Sequence, residues 1–142
     1  MDYAYPAPLP NDEMSMPDET AGQTLVMRVD FSDGHRLGRG KIQLLENIRI
    51  HGSISGGGRA MEMSYRRAWM LVDEMNRMFQ EPVVVSQRGG KEGGRAVLTP
   101  FGEQLVSRFR RMEEQARSAI DSHFEWLSSM RRAAPTSSGI DS

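Results

Sequence analysis

The segment from Gly52 to Phe79, GSISGGGRAMEMSYRRAWMLVDEMNRMF, decides the fold that we predict for this chain of 142 residues. Ser64 is a favourable N-cap for a helix that runs through Phe79. The apolar positions of that helix recur at the helical period and are Ala68, Leu71, Val72, Met75 and Phe79. Ser53 or Ser55 can cap a shorter helix that ends near Met61. The segment therefore predicts two helices joined by a short turn.

Three consecutive glycines, Gly56 to Gly58, lie inside the shorter helix. Each glycine costs roughly 1 kcal/mol relative to alanine in a helix interior. Either tertiary packing holds this helix together, or the glycines allow a neighbouring helix to approach closely.

Residues 39–51 predict a further helix upstream, because apolar side chains recur at helical spacing and Gly52 follows as a stop. Before it, residues 24–31 alternate between apolar and polar types, which predicts a strand, and Asp33 begins a predicted turn. Residues 1–22 are rich in proline and acidic side chains, so we expect a disordered N-terminal tail.

Downstream, two short β-type runs at residues 83–85 and 96–98 flank a glycine-rich loop. The loop and its edge carry the basic residues Arg88, Lys91 and Arg95. Two β runs joined in this way predict a hairpin with a basic tip.

The last predicted helix has Thr99 as its N-cap and Pro100 at its first position, and it continues to about Arg132. At a rise of about 1.5 Å per residue it would be roughly 50 Å long and would overhang so small a domain. Its apolar stripe needs a partner, and we expect the same helix of a second chain, giving a homodimer. The predicted dimerisation residues are Phe101, Leu105, Phe109, Met112, Ala116, Ile120, Phe124 and Leu127. Residues 133–142 are expected to form a second disordered tail.

The order strand, helix, short helix, helix, hairpin and long helix predicts a mainly α fold with small β elements (α+β). It is the order of a winged helix-turn-helix, which we assign to residues 23–132, with the dimerisation helix at about residues 100–132. In such proteins the third helix enters the major groove of DNA and the hairpin contacts the backbone or minor groove. The predicted contacts with double-stranded DNA are Ser53, Ser55, Ser64, Tyr65, Arg66, Arg67, Arg88, Lys91 and Arg95.

The charge distribution agrees with a phosphate-binding surface. Residues 35–111 hold 14 basic against 7 acidic residues, although the whole chain has a net charge of −1. A concentrated basic segment is typical of proteins that bind nucleic acid. Arginines that are simply solvated remain the alternative interpretation of charge alone.

Several other classes of protein are excluded or disfavoured. The chain has no cysteine, which excludes disulfides, thiolate zinc sites and cysteine nucleophiles. His35, His51 and His123 are far apart and lack ligand spacing, so we expect no metal and no cofactor. No catalytic constellation is visible, and we expect no enzymatic activity. Trp69 is expected to pack between the first two helices, and the methionines to fill the core.

The sequence also lacks signals for membranes and export. Its apolar runs are far shorter than a membrane span, and its acidic N-terminus does not resemble a signal peptide. We therefore expect a soluble protein in the cytoplasm that associates with the nucleoid and has no membrane partner.

Two sequence blocks carry a family resemblance: Ser64-Tyr65-Arg66-Arg67-Ala68-Trp69 and Gly89-Gly90-Lys91-Glu92-Gly93-Gly94. With them, residues 44–105 resemble the DNA-binding domain of the ModE-type molybdate-responsive transcriptional regulators. The Leu98-Thr99-Pro100 start of the last helix also resembles LysR-type DNA-binding domains, which share the winged-helix class. The resemblance implies a bacterial regulator of transcription, and we expect a homodimer on an inverted-repeat operator.

The chain departs from the full-length family because it ends soon after the last predicted helix. We therefore expect no molybdate-binding module of the kind that follows the DNA-binding half in that family. Two alternatives remain open. The chain could act as a module that dimerises with, and titrates, a full-length regulator, or as a sensor of a small anion such as molybdate at the dimer interface.

Overall fold

The computed structural model describes residues 22–87 and 94–132. Its elements, in chain order, are β1 (Arg28–Asp30), β2 (Arg36–Gly38), α1 (Arg39–His51), α2 (Ile54–Ala60), α3 (Tyr65–Met78), β3 (Val84–Gln87), β4 (Arg95–Leu98), α4 (Pro100–Ala119) and α5 (Asp121–Met130). The predicted class, mainly α with small β elements, is confirmed. Apart from Gly22, the two predicted tails lie outside the described residues, as do the predicted DNA contacts Arg88 and Lys91.

The first helix has the predicted bounds. α1 ends at Gly52, whose φ of 78° is left-handed and whose N–H donates to the Ile48 carbonyl. Ile42, Leu45 and Ile48 are fully buried and form the centre of the core.

The glycines of α2 let it pack directly against both neighbouring helices. A Cβ atom added to Gly57 would lie 2.6 Å from Ile48 Cγ1, and one added to Gly58 would lie 2.7 Å from Ala68 Cβ. Real side-chain atoms do not approach so closely, so only glycine fits at these two positions. The close-approach explanation of the glycine run is confirmed.

α3 is joined to the hairpin through one side chain. The Asn76 Oδ1 accepts from the Val83 N–H at 2.7 Å and from the Val84 N–H at 3.3 Å, and its Nδ2 donates to the Val84 carbonyl. In the hairpin, Val84 lies opposite Leu98 and Gln87 lies opposite Arg95. The position of the hairpin relative to α3 is therefore fixed by hydrogen bonds.

α4 starts as the sequence predicts. The Thr99 Oγ1 accepts from the Gly102 N–H at 2.9 Å and donates to the Pro82 carbonyl at 2.7 Å. A Cβ atom on Gly102 would collide with the Val83 carbonyl oxygen, so α4 lies directly on the chain that enters β3.

The N-terminal strand is shorter than predicted and has a partner that the sequence did not reveal. Of residues 24–31 only Arg28–Asp30 forms a strand, and it pairs antiparallel with Arg36–Gly38. The turn between them contains Gly34, with φ of 97°. A three-residue strand such as β2 is too short to show an alternating pattern.

The prediction of one continuous helix from Pro100 to Arg132 is wrong. Ile120 adopts φ −110° and ψ 18°, which separates α4 from α5. Around this break the side chains pack on Phe124: the Arg117 guanidinium lies 4.2 Å from its ring centroid, and Gln23 donates to its carbonyl at 2.7 Å. Residues 118–122 contain no glycine or proline, so the break leaves no mark on the sequence.

An ion-pair cluster of Arg39, Glu46, Arg110 and Glu113 joins α1 to α4. The Arg110 guanidinium donates to both carboxylate oxygens of Glu46, at 2.7 and 2.9 Å, and to Glu113 at 2.8 Å. Its hydrogen bonds to these two carboxylates raise the pKa of Arg110 above its ordinary value. Arg39 completes the cluster at 3.4 Å from Glu113.

Candidate nucleic-acid interface

The first turn of α3 presents the side chains that the sequence predicts as DNA contacts. Ser64, Tyr65, Arg66 and Arg67 are all exposed. Within residues 22–87 and 94–132, no carboxylate oxygen lies within 4 Å of either guanidinium group. Positive side chains at a helix N-terminus oppose the helix dipole, and a bound anion would offset that repulsion.

The hairpin brings Arg95 to the turn between α1 and α2. The Ala96 N–H donates to the Gly52 carbonyl at 3.0 Å, which attaches β4 to that turn. A Cβ atom added to Gly52 would lie 3.9 Å from Arg95 Nη2, so the guanidinium lies over the turn. The structure thus places Arg95 beside Gly52, the residue that precedes Ser53, the N-cap of α2.

The predicted serines are engaged in local structure. The Ser53 Oγ accepts from the Gly56 N–H at 2.8 Å, and the Ser64 Oγ accepts from the Arg67 N–H at 3.0 Å. Both therefore cap helices, although a hydroxyl that accepts one hydrogen bond can still donate another. Ser55 accepts from Arg59 Nη2 at 3.4 Å.

Arg59 is a candidate residue that the sequence reasoning missed. It is exposed at the end of α2 and has no carboxylate within 4 Å among the residues that the structure describes. We define the open arginines as those of α2, α3 and β4 that share this lack of an acidic partner: Arg59, Arg66, Arg67 and Arg95. The other three were predicted from the sequence, whereas the only signal for Arg59 was the positive charge of the helix-turn-helix segment.

Trp69 does not pack between the first two helices, and that prediction is wrong. Its side chain is 47% exposed, whereas its neighbour Ala68 is fully buried. Ala68, Val72 and Met75 define the buried face of α3, and Trp69 lies about 100° around the helix from Ala68. The position of Trp69 around the helix follows from the sequence alone and already placed it away from the buried face.

Acidic residues also occur on this side of the molecule. Asp73 pairs with Arg77 at 3.1 Å near the end of α3. Glu62, in the turn between α2 and α3, is exposed and has a φ of 60°, which is left-handed.

The structure divides the predicted dimerisation residues into two groups. Phe109 is buried in the core of its own chain, and Phe101 and Leu105 pack against that core. Phe124 is buried as well. Met112 and Leu127 are exposed, and Ala116 and Ile120 are partly exposed. Two further exposed apolar residues of α5, Trp126 and Met130, were absent from the predicted set.

Residues 22–87 and 94–132 contain no group of three or more histidine, aspartate or glutamate residues that could hold a metal ion. None of the helices described is both long enough and apolar enough to cross a membrane.

No protein-family model matches the chain. The molybdenum transport protein ModE of Azotobacter vinelandii is 38% identical over 95 residues, which are 67% of this chain and 35% of that protein. The molybdenum-pterin-binding protein MopB of Rhodobacter capsulatus is 44% identical over 80 residues, 56% of this chain and 30% of that protein. The DNA-binding transcriptional dual regulator ModE of Escherichia coli is 37% identical over 81 residues, 57% of this chain and 31% of that protein.

The chain spans about a third of the length of the curated relatives that it matches. Over the matched residues, the resemblance to ModE-type regulators that the sequence predicts is confirmed.

Proposed function

We propose that this chain regulates transcription by binding double-stranded DNA through a winged helix-turn-helix formed by α2, α3 and the β3–β4 hairpin. The observation that carries the proposal is the set of four open arginines, Arg59, Arg66, Arg67 and Arg95, which these elements share. It is supported by similarity to proteins named as transcriptional regulators.

In the proposed complex, the N-terminal end of α3 enters the major groove. Arg66, whose side chain points away from the core, makes a two-point contact with a guanine edge. Arg67 and Arg95 neutralise phosphates on either side of the groove, and Tyr65 donates its hydroxyl to a phosphate oxygen. Arg88 and Lys91, which lie between the two strands in sequence, are proposed as further phosphate contacts.

The hydrogen bonds of Asn76 and the Ala96–Gly52 bond give this surface a fixed shape. They hold the hairpin against α3 and against the turn that begins α2. Contacts on rigid elements lose less conformational entropy on binding, which favours one register on DNA.

We further propose that the protein acts as a homodimer on an inverted repeat. The exposed apolar residues at the end of α4 and along α5 supply the partner surface: Met112, Trp126, Leu127 and Met130. A two-fold pair of α3 helices would read half-sites one or two DNA turns apart.

The test is selection of genomic fragments by the purified protein at two salt concentrations, followed by sequencing of the bound pool. Enrichment of a palindrome that survives the higher salt supports a sequence-specific dimer. Phosphate contacts alone give binding that falls steeply with salt and does not depend on the DNA sequence. A weakly bound pool with no enriched sequence would therefore contradict the proposal. It would instead favour the interaction module that titrates a longer regulator.

Sensing of a small anion is the second candidate function, because several relatives are named as molybdenum transport or molybdenum-pterin-binding proteins. Isothermal titration with molybdate tests it directly. Heat of binding at micromolar to millimolar molybdate would support it, and its absence would remove it.

A further inference from the structure

The first two turns of α3 carry three large exposed side chains of apolar character. Tyr65 is 57% exposed, Trp69 47% and Met70 52%. Tyr65 and Trp69 are four residues apart and therefore neighbours on the helix surface, and Met70 follows directly. We call Trp69 and Met70 the apolar pair.

The apolar pair lies within the basic surface. Arg66 is four residues before Met70, so their side chains are neighbours, and both lie roughly opposite the buried Ala68 and Met75. Trp69 lies on the flank of α3 that also carries Asn76, whose hydrogen bonds hold β3. The indole is therefore on the side of the helix that faces the hairpin.

This placement is not explained by the core. The buried face of α3 consists of Ala68, Val72 and Met75, and neither member of the apolar pair belongs to it. Tyr65 and Trp69 are neighbours on the helix surface, and contiguous exposed surface of apolar character commonly marks a binding site. Arg66, a neighbour of Met70, has no carboxylate partner among the described residues, so this surface fits an occupant that is both anionic and apolar in places.

The major groove of DNA has that composition. Its only apolar feature is the C5-methyl group of thymine, which protein side chains recognise by apolar contact. We propose that Trp69 and Met70 read thymine methyl groups in the major groove, beside the guanine that Arg66 contacts. This inference rests on the proposed function, since it needs α3 to lie in that groove.

The contribution of one thymine methyl group to DNA affinity follows from the free energy of burying a methyl group. Burial of one methyl group is worth about a four-fold change in affinity, so loss of the thymine methyl at a contacted position should weaken binding about four-fold. A thymine that α3 does not contact should tolerate the same change.

The main experiment replaces thymine by uracil at each position of the selected operator. The two bases differ only by the C5-methyl group and pair identically. For the unmodified protein we expect one or two positions per half-site at which uracil lowers affinity about four-fold. In Trp69→Ala or Met70→Ala the thymine-to-uracil ratio at one of those positions should fall to about 1. Ile50→Ala, which truncates an exposed apolar side chain of α1, should leave every ratio unchanged.

A second measurement uses the two tryptophans of the chain. In Trp126→Phe, Trp69 is the only indole, and operator binding should change its emission and protect it from acrylamide quenching.

Two outcomes would overturn the inference while sparing the proposed function: specific binding with no uracil-sensitive position, or ratios that are the same in both variants and in the unmodified protein. Absence of any sequence-specific binding would instead overturn the proposed function itself. The ratio compares two DNAs with one protein, so a lower concentration of folded variant does not change it.

Discussion

Arginine serves opposite purposes at two surfaces of this small protein. In the ion-pair cluster between α1 and α4, Arg110 donates to two carboxylates, and Arg39 lies against one of them. At the surface of α2, α3 and β4, the open arginines have no such partner among the described residues. The same side chain is a structural link in one place and free for an incoming anion in the other.

The difference follows from what surrounds each guanidinium. Glu46 and Glu113 are mostly buried, so their charges require compensation by Arg110. A phosphate could displace neither carboxylate without leaving it unpaired. Arg66 and Arg67 have no carboxylate partner among the described residues, so a DNA phosphate or guanine edge can bind them without displacing another group. Charge counts along the sequence cannot separate the two situations.

The largest effect is expected from Arg110→Ala. Removal of the guanidinium leaves two partly buried carboxylates without their main partner, and Arg110 is itself about a third exposed, which reduces the cost. We expect a loss of about 2 to 3 kcal/mol in the free energy of unfolding, measured by urea denaturation. DNA affinity per folded molecule should not change.

Arg111→Ala is the matched control, because its side chain is exposed and has no carboxylate within 4 Å among the described residues. Its stability should change by less than about 0.5 kcal/mol. Equal losses in the two variants would show that the cluster contributes nothing specific.

Arg66→Ala should show the reverse behaviour. Loss of a two-point contact to guanine is expected to weaken binding to the selected operator by about 1.5 kcal/mol, or roughly ten-fold, with a smaller effect on random DNA. Stability should be unaffected, because the side chain is exposed. Titration of labelled operator and random duplexes measures both affinities.

Arg77→Ala, on the last turn of the same helix, provides the comparison for Arg66. Its guanidinium is already paired with Asp73. We expect little change in operator affinity. If Arg66→Ala reduced operator and random binding equally, its base-reading role would be refuted, and only a phosphate contact would remain.

A smaller effect is expected from Arg95→Ala. A single phosphate contact should lower the slope of log affinity against log salt by about 0.9 and weaken all sequences alike by a few-fold. Arg108→Ala, an exposed arginine of α4, should leave the slope unchanged. A loss at Arg95 that depended on sequence would contradict the phosphate role.

The fold was largely predictable because its signals are local. Ser64 and Thr99 are helix caps in the structure as they are in the sequence, and Gly52 ends α1. Helical spacing of apolar residues likewise located α1 and α3. These features depend only on residues within a few positions of one another.

What the sequence did not reveal depends on contacts between distant residues. The break at Ile120 accompanies the packing of Arg117 and Gln23 around Phe124, and Gln23 is 101 residues from Phe124. Phe109 was predicted to contact a partner chain. It instead fills the core of its own chain, because the apolar side of α4 packs against α1. For Trp69 the residue type suggested burial, whereas its helical phase indicated exposure.

The smallest effect concerns Glu62, the exposed acidic residue in the turn between α2 and α3. The backbone of Glu62 is in the left-handed region, with φ of 60°. Glycine adopts this conformation without a steric penalty. Glu62→Gly should therefore raise the free energy of unfolding by about 0.5 kcal/mol, because relief of strain exceeds the added freedom of the unfolded chain.

Glu62→Gln separates the backbone from the charge, because it removes the carboxylate and keeps the Cβ atom. Stability should then stay constant, whereas binding to random DNA should strengthen slightly at low salt, as for Glu62→Gly, since both variants remove a negative charge beside Ser64 and Arg66. If Glu62→Gln stabilised the fold as much as Glu62→Gly, the strain at this position would be electrostatic. If neither variant affected DNA binding, the turn between α2 and α3 would lie too far from the phosphates for its charge to matter.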